Sequence, residues 1–139
     1  MFVSPPLSAG AATCYLAEDG LRTNVLHMPL LGVGDGGLYT TVGDLQAFWD
    51  AFSDGRIVST STAAEMVRPR STSSDRSARY GLGFWLAASG DEAWLTGSDA
   101  GISAGSSRTP STATTATVVS NWTDGAWPVL RLLDQQLAG

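Results

Sequence analysis

WLTGSDAGISAGSS, residues Trp94 to Ser107, is the stretch on which the fold turns, because a strand-like run opens there directly into a small, glycine-rich polar segment. Along an extended backbone Trp94, Thr96 and Ser98 fall on one face and Leu95 and Gly97 on the other, so polar side chains near Ser98 can line a cleft while their neighbours pack. Gly97 and Gly101 leave room for close approach to the backbone. Taken alone, the stretch reads first as an ordinary sheet edge with a glycine-rich bend.

The segments around it carry the same strand period. Tyr80 to Ala88 (YGLGFWLAA), a turn at Ser89-Gly90-Asp91, and Glu92 to Ser98 are expected to form one hairpin. Ile102 to Arg108, a turn at Thr109-Pro110-Ser111, and Thr114 to Asn121 are expected to form a second. After them Asp124 is placed to cap a closing helix with Pro128 in its first turn, and Val129, Leu130, Leu133 and Leu137 make the face that should lie on the sheet.

Upstream of the strands the period becomes helical. Thr41-Val42-Gly43-Asp44 approximates a capping box, and Val42, Leu45, Phe48, Trp49 and Phe52 recur at helical spacing until Gly55 stops the run. A shorter helix is expected from Thr62 to Arg68, opened by Thr62 with Glu65 three residues on and closed before Pro69. Arg70 to Arg79, RSTSSDRSAR, reads as an exposed, mobile polar loop. Residues 1 to 20 read as an irregular lead-in cut from something longer, and Pro29 makes Leu21 to Leu31 an irregular or edge segment. The expected class is therefore α+β, an antiparallel sheet with packed helices, after a lead-in over residues 1–20.

Composition narrows the chemistry. At 139 residues with 43% hydrophobic and 15% charged residues and five tryptophans, the chain should fold, as a single domain or a piece of one. All eight of its basic residues are arginine, so no lysine is present as base, Schiff-base former or phosphate ligand. The arginines are scattered and the net charge is -5, which argues against a nucleic-acid partner. Cys14 is the one cysteine and His27 the one histidine, too few ligands for a zinc site and too few thiols for an internal disulfide. Cys14 reads as a core or incidental thiol and His27 as a satisfied structural histidine. No metal or other cofactor is expected. With neither a signal-like N-terminus nor a membrane-length apolar run, the expectation is a cytoplasmic chain without a membrane partner.

Local motifs yield no complete active site. Gly97-Ser98-Asp99-Ala100-Gly101 is not a nucleophile elbow, because its middle residue is Asp99. Gly32 to Gly37, GVGDGG, matches a dinucleotide-binding string, but Pro29 disfavours the strand that should precede it. Asn121-Trp122-Thr123 fits a glycosylation acceptor and is read as a chance match.

In order and wording, GDGGLYTTVGDLQAFWDAF (Gly34 to Phe52), EMVRP (Glu65 to Pro69), YGLGFW (Tyr80 to Trp85), LTGSDAGIS (Leu95 to Ser103), VVSN (Val118 to Asn121) and the closing helix together form a pattern. This pattern resembles the C-terminal part of the serine β-lactamase-like hydrolases, the group of class C β-lactamases, penicillin-binding carboxypeptidases and related esterases. The resemblance covers residues 21 to 139. It implies a β-lactamase/transpeptidase-like fold and acyl transfer on a small ester or amide. It also implies a Ser-x-x-Lys nucleophile and a Tyr-x-Asn second motif, neither of which this chain contains. The family's third motif, Lys-Thr-Gly or His-x-Gly, corresponds to Ser98-Asp99-Ala100, and the backbone N–H of Gly101 to an oxyanion-hole donor. Ser98 puts a neutral hydroxyl where the family carries a cation, which favours an uncharged substrate. Two expectations follow for the chain alone: no catalysis, and self-association through an exposed sheet edge at Thr114 to Asn121, where Val118 and Val119 are apolar. The competing expectation is a non-catalytic binding or interaction module derived from the same fold.

Overall fold

A computed structural model of the chain describes residues 10–16, 22–27, 34, 36–74 and 77–137. Its elements are α1 (Val42–Ser53), α2 (Thr60–Met66), β1 (Ser71–Thr72), β2 (Ala78–Tyr80), β3 (Trp85–Ala87), β4 (Ala93–Asp99), β5 (Ile102–Thr109), a 3-10 turn (Pro110–Thr112), β6 (Thr114–Ser120) and α3 (Ala126–Leu137). The strands form a six-stranded antiparallel sheet in the order β1-β2-β3-β4-β5-β6, each beside its neighbour in sequence. Among the described residues, no helix is long and apolar enough to cross a membrane. The described residues divide into two compact units, one built from those within Val42–Thr96 and Gly105–Thr117, the other from those up to Thr41 with Gly97–Ala104 and residues 118–137.

In the first unit α1 forms where its apolar spacing predicts, burying Leu45, Trp49 and Phe52, whereas Val42 at the first turn stays half exposed. The helix stops at Ser53, two residues before Gly55, whose φ of +76° only glycine adopts cheaply. The Gly55 N–H donates to the Phe52 carbonyl and the Arg56 N–H to that of Ala51, the paired bonds of a Schellman motif. Helix α2 starts earlier than Thr62. Ser59 is the cap, its hydroxyl accepting from the Thr62 N–H at 3.1 Å. The run Ser59-Thr60-Ser61-Thr62 holds a capping side chain at every position, so sequence alone does not single one out. Glu65 instead holds Arg68 at 3.1 Å and Arg70 at 2.7 Å.

RSTSSDRSAR is not wholly a loop. Ser71 and Thr72 pair antiparallel with Tyr80 and Arg79, and Ser73 joins them through its hydroxyl to Ala78. Tyr80 to Ala88 is likewise not one strand. It breaks at Gly81–Phe84 into β2 and β3, which pair antiparallel with Tyr80 opposite Trp85 and Ala78 opposite Ala87. The break has a steric cause: a Cβ on Gly81 would run into the Met66 carbonyl oxygen, while the Leu82 N–H donates to that same oxygen at 2.8 Å. Only glycine lets the turn seat against the end of α2, and the seat satisfies a helix carbonyl that otherwise has no partner within the helix.

Trp49, Phe52, Ala63, Phe84, Leu86 and Ala93 form the buried core of this unit, with Phe48, Val58, Met66, Val67 and Leu95 packed against it. The rings of Phe52 and Phe84 lie 5.0 Å apart and those of Trp49 and Phe84 5.5 Å apart. Burying side chains of this kind contributes about 1.5–3 kcal/mol each. The Trp49 indole N–H, which would otherwise be buried unpaired, donates to the Ser106 hydroxyl at 2.8 Å, and that hydroxyl is 2.7 Å from the Thr117 hydroxyl.

In the second unit Tyr15 bridges Thr23 antiparallel and Trp122 parallel, with its N–H on the Asn121 carbonyl at 2.9 Å. Asn121 returns the contact, its side-chain amide donating to the Thr13 carbonyl at 3.0 Å. Helix α3 begins at Ala126, after Gly125, so Asp124 is not at its cap position. The expected apolar face is only partly covered: Leu130 and Leu133 are half-buried, whereas Val129 is 45% and Leu137 57% exposed. Periodicity gives a helix its apolar stripe, but what covers the stripe depends on other parts of the fold.

Candidate functional site

The expected substrate-side segment lies at the end of β4 and in the turn after it. Antiparallel pairing with β3 joins Trp94 to Trp85 and Ala93 to Leu86, so β4 runs on from Leu95 to Asp99 past the end of β3. Thr96, Gly97, Ser98 and Asp99 are all exposed, and a Cβ added at Gly97 would meet open space. Ser98 thus presents a neutral, accessible hydroxyl, while Asp99 turns back on the chain and accepts the Ala100 N–H on Oδ1 at 2.7 Å.

Gly101 closes the turn with φ +81° and is buried. An added Cβ would come within 3.1 Å of the Asn24 Cβ and the Tyr15 nitrogen and 3.2 Å of the Cys14 Cβ. The segment around Tyr15 therefore packs directly on the turn. The Gly101 N–H, the expected oxyanion donor, is held at 2.9 Å by the Thr123 hydroxyl. An anion would reach this donor only by displacing that hydroxyl. Replacing Thr123 by valine, which keeps the shape and removes the acceptor, is expected to cost about 1–3 kcal/mol. A urea unfolding midpoint unchanged by Thr123→Val would contradict the bond.

Two residues that sequence reasoning passed over complete this unit. Ser103 is fully buried on β5, its hydroxyl donating to the Trp122 carbonyl at 2.8 Å and accepting the Ala126 N–H at 3.0 Å. It therefore serves an unpaired amide at the start of α3, and its proton is already committed. Thr123 is the other. Asn121 and Thr123 both bond within the fold, so the acceptor-like triplet that contains them has a structural use.

Of the reactive side chains among the described residues, Cys14 packs against this turn, its Cβ 3.2 Å from where a Cβ on Gly101 would stand. Cys14 is half-buried, and burial pushes its thiol above the ordinary range, which keeps it protonated and weakly nucleophilic at neutral pH. His27 is exposed in the turn that follows Asn24, whose carbonyl accepts the His27 backbone N–H at 2.7 Å. Among the described residues no group of three or more His, Cys, Asp or Glu side chains is arranged to hold a metal ion. Of GVGDGG, residues Gly32, Val33 and Asp35 lie outside the described residues, so the expectation about that string is not addressed by the structure.

No family model matches the sequence, and no curated protein matches it. Among solved structures, the chain is similar to a penicillin binding protein from Bacillus halodurans, with a TM-score of 0.80 over 89% of this chain at 24% identity. The fold is β-lactamase/penicillin-binding-protein-like. Within it the antiparallel sheet and helices fit the C-terminal portion of a β-lactamase/transpeptidase-like fold. The chain spans 39% of the length of that penicillin-binding protein's chain, and at this identity the likeness concerns the fold.

Proposed function

We propose that this chain is the C-terminal portion of a β-lactamase-related serine hydrolase, contributing the β4 wall of an acyl-transfer site to a nucleophile carried on another segment. The observation that supports this most is the extent of the structural match, 89% of the chain at a TM-score of 0.80 to a protein described as penicillin-binding. The exposed end of β4, with Ser98 on an accessible strand and Gly101 at the turn, supplies surface for a small ester or amide. The neutral Ser98 hydroxyl favours an uncharged substrate over one carrying a carboxylate.

The 139-residue chain by itself has neither Ser-x-x-Lys nor any lysine, so it is expected not to turn over substrate. Where nucleophile and base are both missing, only binding and backbone donors remain. Rigorously purified chain should hydrolyse p-nitrophenyl acetate and a chromogenic cephalosporin at the rate of buffer. Turnover that co-purifies with the chain and is abolished by a fluorophosphonate would overturn the proposal.

A non-catalytic binding or interaction module is the second possibility, and one observation favours it: the polar groups of the Asp99–Gly101 turn are satisfied within the fold, Asp99 by Ala100 and Gly101 by Thr123. The chain expressed with its upstream coding sequence discriminates between the two. A serine labelled by a fluorophosphonate or penicillin probe supports the hydrolase, and a folded protein that takes no label supports the module.

A further inference from the structure

Strands β2, β3 and β4 align Tyr80 with Trp85 and Trp85 with Trp94, while Leu86 and Ala93, beside them in sequence, enter the core with Trp49 and Phe52. Alternation along a strand therefore puts the three rings together on the face away from that core, in a row about 10 Å long across three strands. Trp85 is 38% exposed, Tyr80 and Trp94 are half-buried, and the rings of Tyr80 and Trp85 meet edge to face at 4.8 Å. The adjoining row on the same face is Ala78, Ala87 and Glu92. Ala78 pairs with Ala87, and the Ala87 N–H donates to the Glu92 carbonyl at 3.0 Å. Because its two neighbours in that row are methyl groups, the Glu92 side chain has room beside Trp94. All of these residues belong to the unit that holds α1 and α2.

The charges on this face are one-sided. The Glu92 carboxylate is half-buried and has no hydrogen bond or ion pair among the described residues. Arg79, the basic residue of these strands, lies opposite Leu86 and so takes the other face. Its guanidinium is spent on the Ala87 carbonyl at 2.7 Å and the Gly90 carbonyl at 3.3 Å. A partly dehydrated carboxylate without a counter-charge is stabilised by gaining a cation. The aromatic faces narrow the choice, since their π-clouds attract cations and favour those that shed water readily. An alkali ion holds its water too tightly to lie on an indole, and a neutral hydrocarbon leaves the carboxylate as it was.

We propose that this face binds a small quaternary ammonium ion, its methyl groups against the indoles of Trp85 and Trp94 and its charge beside Glu92. The site is independent of the acyl-transfer reading and stands whether or not that reading holds.

Titrating the 139-residue chain with tetramethylammonium chloride, and following the tryptophan indole N–H signals by nitrogen-edited NMR, tests it. The Trp85 and Trp94 signals are expected to move saturably with a Kd of about 10 mM, the range for an ion of this size. The Trp49 signal, whose indole N–H is held by Ser106, should stay in place and so reports the native core. tert-Butanol, of the same shape but neutral, should bind roughly fivefold or more weakly, and sodium chloride at matched concentration should move neither signal. Glu92→Gln should weaken tetramethylammonium roughly fivefold, and Trp85→Leu by a similar factor. Trp85 and Trp94 signals that stay fixed up to about 100 mM, well above the expected Kd, would overturn the proposal. So would equal shifts with sodium chloride, tert-butanol binding as tightly as tetramethylammonium, or an affinity unchanged by Glu92→Gln. If Trp85→Leu does not fold, the comparison of tetramethylammonium with tert-butanol on the unaltered chain decides alone.

Discussion

Replacing Trp49 by alanine is expected to destabilise the folded chain by about 3–5 kcal/mol, a large share of the 5–15 kcal/mol that typically separates a domain from its unfolded state. Trp49 is only 1% exposed and touches the rings of Phe48, Phe52 and Phe84 at centroid distances of 5.5, 6.3 and 5.5 Å. Removing it leaves a cavity beside α1 and also strips the Ser106 hydroxyl of the indole donor. Trp49→Phe separates these effects. It keeps most of the packing and loses the 2.8 Å bond, so it should cost about 1–2 kcal/mol plus a smaller cavity term. Urea denaturation followed by far-ultraviolet circular dichroism measures both. A Trp49→Ala midpoint within error of the unaltered chain would mean that this core does not exist as described.

Gly81→Ala is the second large effect, expected at roughly 3 kcal/mol or more. The added methyl would collide with the Met66 carbonyl oxygen, a backbone atom that no rotamer change moves. The turn between β2 and β3 would have to lift off α2, breaking the 2.8 Å bond from the Leu82 N–H. Gly83→Ala is the informative control. Its φ of +89° strains any side chain, but an added Cβ meets nothing within 4 Å, so it should cost only about 1–2 kcal/mol. If Gly83→Ala proved the more damaging of the pair, backbone conformation rather than close approach would govern this turn.

The contrast between these glycines shows where sequence stops being informative. Helix α1 was legible because Leu45, Trp49 and Phe52 repeat at 3.6 residues and a glycine follows, all local properties. The hairpin of β5 and β6 was legible from Pro110 and the flanking alternation. YGLGFWLAA carries a valid strand pattern whether or not it bends, and the reason it bends is a carbonyl oxygen on Met66, remote in sequence. The stripe on α3 was visible too, but Val129 and Leu137 are exposed because burial depends on what is packed there. For the candidate site, Gly101 could be picked out as a turn glycine. Its partner could not, since Thr123 lies 22 residues further on in a tripeptide read as a chance match to a glycosylation acceptor.

The bonds linking Trp49 to Ser106 and Ser106 to Thr117 also act as an address label for assembly. Apolar contacts tolerate sliding, because one methyl group packs much like another, whereas a hydroxyl shared between an indole and a threonine fits at one alignment only. A slip of β6 against β5 by a single residue would turn Thr117 to the opposite face and leave Ser106 buried without it. Serine and threonine, common in this chain and easily taken for reactive groups, serve at these positions to reject misaligned pairings of strands that hydrophobicity alone would accept.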